Sequence, residues 1–156
     1  MASRPTLVRR TPETVWAFLA DPANFARWVV GTQRSDPLDD RWPAVGAAMR
    51  YTMGFGPLRG TGRTVVRVSE PARRLELEAQ TKGLGTARIA LEIRPWGEQS
   101  LLIIDEHPLT GPGGILHNRL ADAFLQVRHR RMLHNLTSLV ESATEHESEA
   151  SARQEA

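Results

Sequence analysis

The chemistry-bearing residues of this sequence gather at the end of one apolar run. In LLIIDEHPLTGPGG, residues 101–114, four apolar residues lead straight into Asp105, Glu106 and His107, and then into a loop broken by proline and glycine. Side chains alternate along a strand, so Asp105 and Glu106 face opposite ways. Glu106 shares its side with Ile104 and Leu102, and Asp105 shares its side with Ile103 and Leu101, so parity alone does not choose the inward acid. A downstream helical stretch supplies the second clue. Arg128 projects about 40° from the centre of that helix's apolar stripe, with Asn135 on the same flank. An unpaired arginine there is expensive, and a carboxylate on the strand covering the helix is its natural partner. The expectation is that Glu106 turns inward and meets Arg128 as a bidentate pair, while Asp105 emerges toward water.

Three roles fit such a pair: an ion pair that ties helix to sheet, a polar handle for a ligand, or acid/base catalysis with Glu106 and Arg128 as the candidates. The last needs a carboxyl that titrates near neutral pH, and a nearby arginine lowers a carboxyl pKa, which weighs against it. Other chemistries find less support. His117, His129 and His134 point about 100° or more apart around one helix and cannot converge on a metal, and no HExxH spacing occurs. No serine sits in a GxSxG elbow. The glycines of GFGPLRGTG, residues 54–62, lie between two strand-like segments and are interrupted by Pro57, so they read as a hairpin and not as a nucleotide loop. No metal and no cofactor is called for.

The elements that must position these groups follow from local signals. A short strand covers 6–10. Thr11-Pro12-Glu13 starts a helix, with Thr11 as N-cap and Pro12 at the first helical position, and Asp21-Pro22 starts a second short one. A polar link containing Trp42-Pro43 follows. Strand-like segments then cover 47–55, 59–69, 73–81, 85–95 and 99–107, joined by short turns that imply antiparallel neighbours. In RLELEAQ and ARIALEI one face is apolar, so the sheet needs a cover. The cover is a helix over 115–145 with a stripe of Ala121, Leu125, Met132, Leu136, Leu139 and Ala143.

The fold class is therefore α+β: a curved antiparallel sheet of six to seven strands wrapped around a long C-terminal helix, with two short helices after the first strand. Sheet and helix need not touch everywhere, and a cavity between them is where a ligand goes. Tyr51, Met53 and Phe55 share one strand face and are candidates to line it. Ile104 joins them from the strand of Glu106, and Phe124, Leu125 and Met132 from the helix; Glu106, Arg128 and Asn135 are the polar candidates. Trp16, Trp28, Phe25 and Phe124 otherwise read as core.

At 156 residues the chain suits one domain, expected over 1–145, with 146–156 as a disordered acidic tail. Residues 1–140 carry a net charge of +6 and residues 141–156 one of −4. The basic residues, all arginine except Lys82, are scattered and not clustered, which argues against nucleic acid. No apolar run approaches a membrane span and no secretory signal is expected. The lack of cysteine fits a cytoplasmic protein. A homodimer stays open.

Four stretches carry a family resemblance over about residues 5–142: TPETVWAFLADPANFARWVVG, RWPAVGAAMRYTMGFGPL, DEHPLTGP and RHRRMLHNLTSLVE. With Pro12, Val15, Trp16, Leu19, Asp21, Pro22 and Trp28, and then Trp42, Pro43, Gly46, Gly54, Gly56 and Pro57, the chain resembles the SRPBCC superfamily. Within it, the likeness is to bacterial polyketide cyclase/dehydrase-like proteins, relatives of START lipid-transfer domains and the birch pollen allergen. The resemblance implies a helix-grip fold around a hydrophobic cavity, an inward glutamate at Glu106 and a helix arginine at Arg128. His129 stands where similar sequences carry asparagine, so a role for that amide does not carry over. The function implied is binding of a small hydrophobic molecule, a lipid or a polyketide-like compound. The alternatives are a polyketide cyclase/dehydratase using the same cavity, and a protein-interaction domain in which the cavity is vestigial.

Overall fold

The structure, a computed structural model, describes residues 4–154 apart from Gly56, Leu84 and 111–118; the side chains of Arg4, Phe55, Leu58, Pro108, 119–125, Thr144, Glu147 and Ser148 also lie outside the description. The order is β1 (Arg4–Val8), α1 (Pro12–Ala20), a 3-10 turn (Pro22–Asn24), α2 (Phe25–Trp28), β2 (Thr32–Pro37), β3 (Ala48–Phe55), β4 (Leu58–Glu70), β5 (Arg74–Thr81), β6 (Gly85–Trp96), β7 (Gln99–Thr110) and α3 (Arg119–Gln154). The seven strands form one curved antiparallel sheet ordered β1-β7-β6-β5-β4-β3-β2. Consecutive strands from β3 to β7 are neighbours joined by short turns, β2 reaches β3 through residues 38–47, and β1 closes the far edge against β7.

Local chemistry accounts for most of these boundaries. Thr11 Oγ1 accepts from the Thr14 amide at 3.3 Å and Pro12 sits in the first turn of α1. Asp21 Oδ1 accepts from the Ala23 amide at 2.9 Å to start the next turn. The β6–β7 hairpin turns on Gly97-Glu98 between the paired residues Trp96 and Gln99, with Gly97 at φ 62°, a conformation favoured by glycine in a tight hairpin.

The inner face of the sheet carries Leu75 and Leu77 from β5, Ile89, Leu91 and Ile93 from β6, and Leu102 and Ile104 from β7, all buried. Met132, Leu133, Leu136 and Val140 of α3 join them in one core with Val15 and Leu19 of α1. An aromatic group closes the side of that core. Phe25 packs edge-on to Trp28 and Trp42 at 5.8 and 6.2 Å, and lies 6.3 Å from Tyr51. Trp16 is partly buried against the core; the Phe124 side chain lies outside the described residues.

Three sequence expectations need correction. The polar link after Gly31 contains a strand, β2, whose TQRSDP sequence lacks apolar alternation. It is an edge strand with mostly exposed side chains, and charged residues and a proline suit such an edge. The apolar stripe of α3 runs through His129, Met132, Leu133, Leu136 and Val140, whereas Ala143 is exposed. The buried face is thus rotated by about 50°, half of one residue's step, from the predicted one. Finally, 146–154 is not a disordered tail but the end of α3. Its Glu, Ala, Gln and Arg residues are strong helix formers and extend a helix already nucleated by tertiary packing.

Two outcomes test this description. A Cβ at Gly62 would overlap the Tyr51 ring and stand 2.7 Å from the Gln80 carbonyl oxygen. Gly62→Ala is therefore expected to destabilise the protein by roughly 1–3 kcal/mol, read as a lower urea midpoint; an unchanged midpoint would mean Tyr51 does not pack there. Truncation after Glu145 should reduce helical ellipticity without lowering the melting temperature, because the described side chains beyond it are exposed. A large drop in melting temperature would place that segment in the core.

Candidate functional site

Glu106 occupies the inner face of β7 one alternation beyond Ile104, opposite Ile89 of β6. It is the first inner position of β7 past the apolar core. Its Oε2 accepts from Arg128 Nη1 and from His129 Nε2, the latter at 3.0 Å. The three side chains are close to sealed: 10% of Glu106, 11% of Arg128 and none of His129 is exposed. Because an ionised carboxylate only accepts, Nε2 carries the imidazole proton. His129 Nδ1 is buried with no hydrogen-bond partner among the described residues.

Desolvation pushes the Glu106 pKa up, but the His129 hydrogen bond and the Arg128 charge outweigh it and hold the carboxyl below its usual range. Glu106 is thus an anion at neutral pH. Tyr51 stands in the same field. Burial pushes its phenol pKa up, the Thr81 hydrogen bond and the Arg128 charge offset part of that, and the Glu106 charge adds to the rise. Its hydroxyl is held to Thr81 Oγ1 at 2.6 Å.

Glu106 lies level with Ile89, Leu77 and Val66, and the inner positions beyond it on the sheet are small. Along the inner face of β5, Leu75 and Leu77 give way to Ala79 and Thr81; along β6, Ile93, Leu91 and Ile89 give way to Ala87 and Gly85; along β4, Val66 and Thr64 give way to Gly62 and Gly60. The bulky residues are fully buried, whereas Ala79, Thr81, Ala87 and Gly85 are only partly so. Among the described residues, apolar bulk fills one end of the inner sheet face, and the end beyond Glu106 carries small residues.

Of the residues singled out in the sequence, Glu106 and Arg128 meet as an ion pair on one carboxylate oxygen, not as a bidentate fork. Tyr51 is buried beside them and Met53 is half-buried against the core. Ile104 and Met132 are fully buried core residues. Asn135 is half-buried on α3, seven residues beyond Arg128. The side chains of Phe55, Phe124 and Leu125, and all of His117, lie outside the described residues. Asp105 faces outward, but it is not simply solvated: it is 28% exposed and its Oδ2 lies 2.8 Å from His107 Nε2.

His129 and Thr81 are the members that sequence reasoning misses. In the sequence His129 draws notice as a metal candidate and as the residue standing in for an asparagine, not as a partner of Glu106. Counting it as apolar reveals the buried stripe, since His129, Met132, Leu133, Leu136 and Val140 follow helical spacing. Thr81 gives no signal before the β3–β4–β5 register brings it beside Tyr51 through Gly62.

A curved antiparallel sheet gripping one long C-terminal helix, with a polar group set into an otherwise apolar interior, is the helix-grip architecture of the SRPBCC superfamily. The chain belongs to the polyketide cyclase / dehydrase and lipid transport family, whose model matches residues 2–141. Solved structures share the fold at low identity. TTHA0849 from Thermus thermophilus matches with a TM-score of 0.71 and 12% identity, over 91% of this chain and 97% of that one. The Zhui aromatase/cyclase from a Streptomyces species matches at 0.69 and 14%, over 90% and 92%. CV1439 from Chromobacterium violaceum matches at 0.66 and 16%, over 90% and 96%. No curated protein matches the chain significantly. Among the described residues no helix is long and apolar enough to cross a membrane.

The ion pair makes a pH-dependent prediction. The folded-state pKa of Glu106 is depressed, so its contribution to stability is present above the unfolded-state pKa and lost as pH falls through the folded one. Glu106→Ala strands Arg128 and should cost about 3–5 kcal/mol at neutral pH. In urea titrations that deficit should shrink below about pH 4. An equal deficit across this range would show that the carboxylate charge is not what the pair contributes.

Proposed function

We propose that the protein binds a small hydrophobic molecule between the small-residue end of its sheet and the long helix, with Glu106 and Arg128 as polar anchors. The observation that carries this reading is the fall in side-chain size along β4, β5 and β6 past the level of Glu106. A stably packed interior has little reason to replace leucine and isoleucine with glycine and alanine just beyond the place where it also buries a charged pair, because lost contacts there weaken the core. A ligand whose apolar body replaces those contacts, while its polar atom meets Arg128 or Glu106, resolves both costs together.

The family description, which covers both cyclisation chemistry and lipid transport, accommodates carriage and catalysis. Carriage is favoured because Glu106 is held ionised with a lowered pKa, which leaves it no proton to donate and makes it a weak base. The neutral Tyr51 phenol is tied to Thr81, so it too is a positioned hydrogen-bonding group before it is an acid. The protein-interaction alternative requires the interior to be filled without ligand.

The discriminating experiment adds bulk at the small end. Ala87→Leu should abolish binding of a neutral apolar dye such as Nile red, or lower its affinity at least about tenfold, while leaving the melting temperature the same or higher. Native mass spectrometry of the unmodified protein should also show a co-purifying small molecule that Ala87→Leu excludes. If Ala87→Leu destabilises the fold and leaves dye binding intact, the small end is already packed and the binding reading fails.

A further inference from the structure

We infer that the outer face of the sheet carries a binding site for a phosphate monoester, built from Arg50, Arg63 and Lys82. It is separate from the interior site and does not depend on that site being occupied.

Strand register creates the cluster. Residues far apart in the sequence meet in one row across the outer face: Asp36, Arg50, Arg63, Gln80 and Thr86. Arg50 and Arg63 stand directly opposite each other on β3 and β4. Opposed residues of antiparallel strands hold their Cβ atoms about 5 Å apart, and like charges placed there are destabilising. Most other arginines on this face are neutralised. Arg34 pairs with Asp36, Arg67 with Glu78, Arg74 and Arg88 with Glu76, and Arg94 with Glu92. Arg50, Arg63 and Lys82 are exposed and have no carboxylate partner among the described residues, and the same holds for Arg59 further along β4. The neighbouring acids are already engaged. Asp36, opposite Arg50, is held by Arg34 at 2.9 Å, and Glu78, two positions from Gln80, by Arg67 at 3.0 Å.

The three cations line one open groove of about 560 Å³, together with Thr61, Gln80 and Gly83. Three positive charges without a counter-charge in one groove specify an anion, and their number favours phosphate over carboxylate. A carboxylate offers one charge and two oxygens, which a single guanidinium fork satisfies, leaving the second arginine still opposed. A phosphate monoester brings nearly two negative charges and three terminal oxygens. Both guanidinium forks and the Lys82 ammonium can share that one centre, and the exposed Thr61 hydroxyl can donate from the groove wall. Binding replaces the repulsion between Arg50 and Arg63 with attraction of both to the same anion.

Such a phosphate comes either from a soluble ester or from a lipid head, and two probes separate the sources. Glycerol 3-phosphate is titrated calorimetrically, and phosphatidylcholine vesicles containing phosphatidic acid are co-sedimented with the protein, both at low ionic strength because salt screens exposed charges. Binding of glycerol 3-phosphate assigns a soluble ligand; binding of the vesicles alone assigns a lipid head. Either should weaken at least about tenfold in Arg50→Gln/Arg63→Gln. The same variant removes the opposed charges, so its melting temperature without ligand should rise by about 1–3 °C, which separates a lost site from a lost fold. The inference is overturned if neither probe binds, or if the double variant binds as tightly as the wild-type protein. It is also overturned if the only binding is to vesicles and phosphatidylglycerol at the same surface charge serves equally well. A fall in the variant's melting temperature overturns it too, because the two arginines would then serve the fold.

Discussion

The structure depends on a single buried carboxylate with two donors from adjacent helical residues. Glu106 Oε2 receives both Arg128 and His129, and consecutive residues on a helix point about 100° apart. Both can reach one oxygen only when that oxygen lies in the sector between their directions. The contact therefore fixes the rotation of α3 about its axis as well as its height along β7. Apolar packing specifies such a rotation less sharply, because ridges and grooves tolerate small shifts. With the rotation fixed, His129 turns toward the core and the buried stripe passes through Leu133 and Val140 instead of Ala143.

From that anchor the interior divides into two parts. On one side Leu75, Leu77, Leu91, Ile93 and Leu102 pack on Met132, Leu136 and Val140 and supply the cohesion of the domain. On the other, Gly60, Gly62, Ala79, Gly85 and Ala87 leave the sheet face low. Tyr51 stands at the boundary. Its ring packs with Phe25 at 6.3 Å and fills the space over Gly62, while its hydroxyl reaches Thr81 at 2.6 Å. One side chain thus links the aromatic group around α2 to the polar end of the sheet.

Much of this architecture is legible in the sequence, for specific reasons. Strands β5 and β6 alternate strongly, and β3 to β7 are separated by short, mostly glycine- or proline-marked turns, so order and pairing follow directly. The Thr11-Pro12 and Asp21-Pro22 starts carry their mechanism in the residues themselves. Edge strand β2 is invisible because one exposed edge imposes no alternation on TQRSDP. Glu106 and Arg128 can be paired by asking where an arginine near an apolar stripe finds its counter-charge. His129 escapes the same logic: a histidine counted as polar shifts the inferred stripe, and only the depth of the helix against β7 shows it fully buried. Thr81 requires the register of three strands.

A buried ion pair is weak evidence of stabilisation, since apolar residues of similar volume often do as well or better. Rotation of α3 gives the pair one structural purpose, yet rotation alone does not require the neighbouring face to be built from glycine and alanine. The pairing also constrains chemistry. To act as a general acid near neutral pH, Glu106 would need its pKa raised by burial without compensation; Arg128 and His129 do the reverse. The same two donors that hold the helix in place keep the carboxylate ionised, and the ionised carboxylate in turn cancels the charge of Arg128.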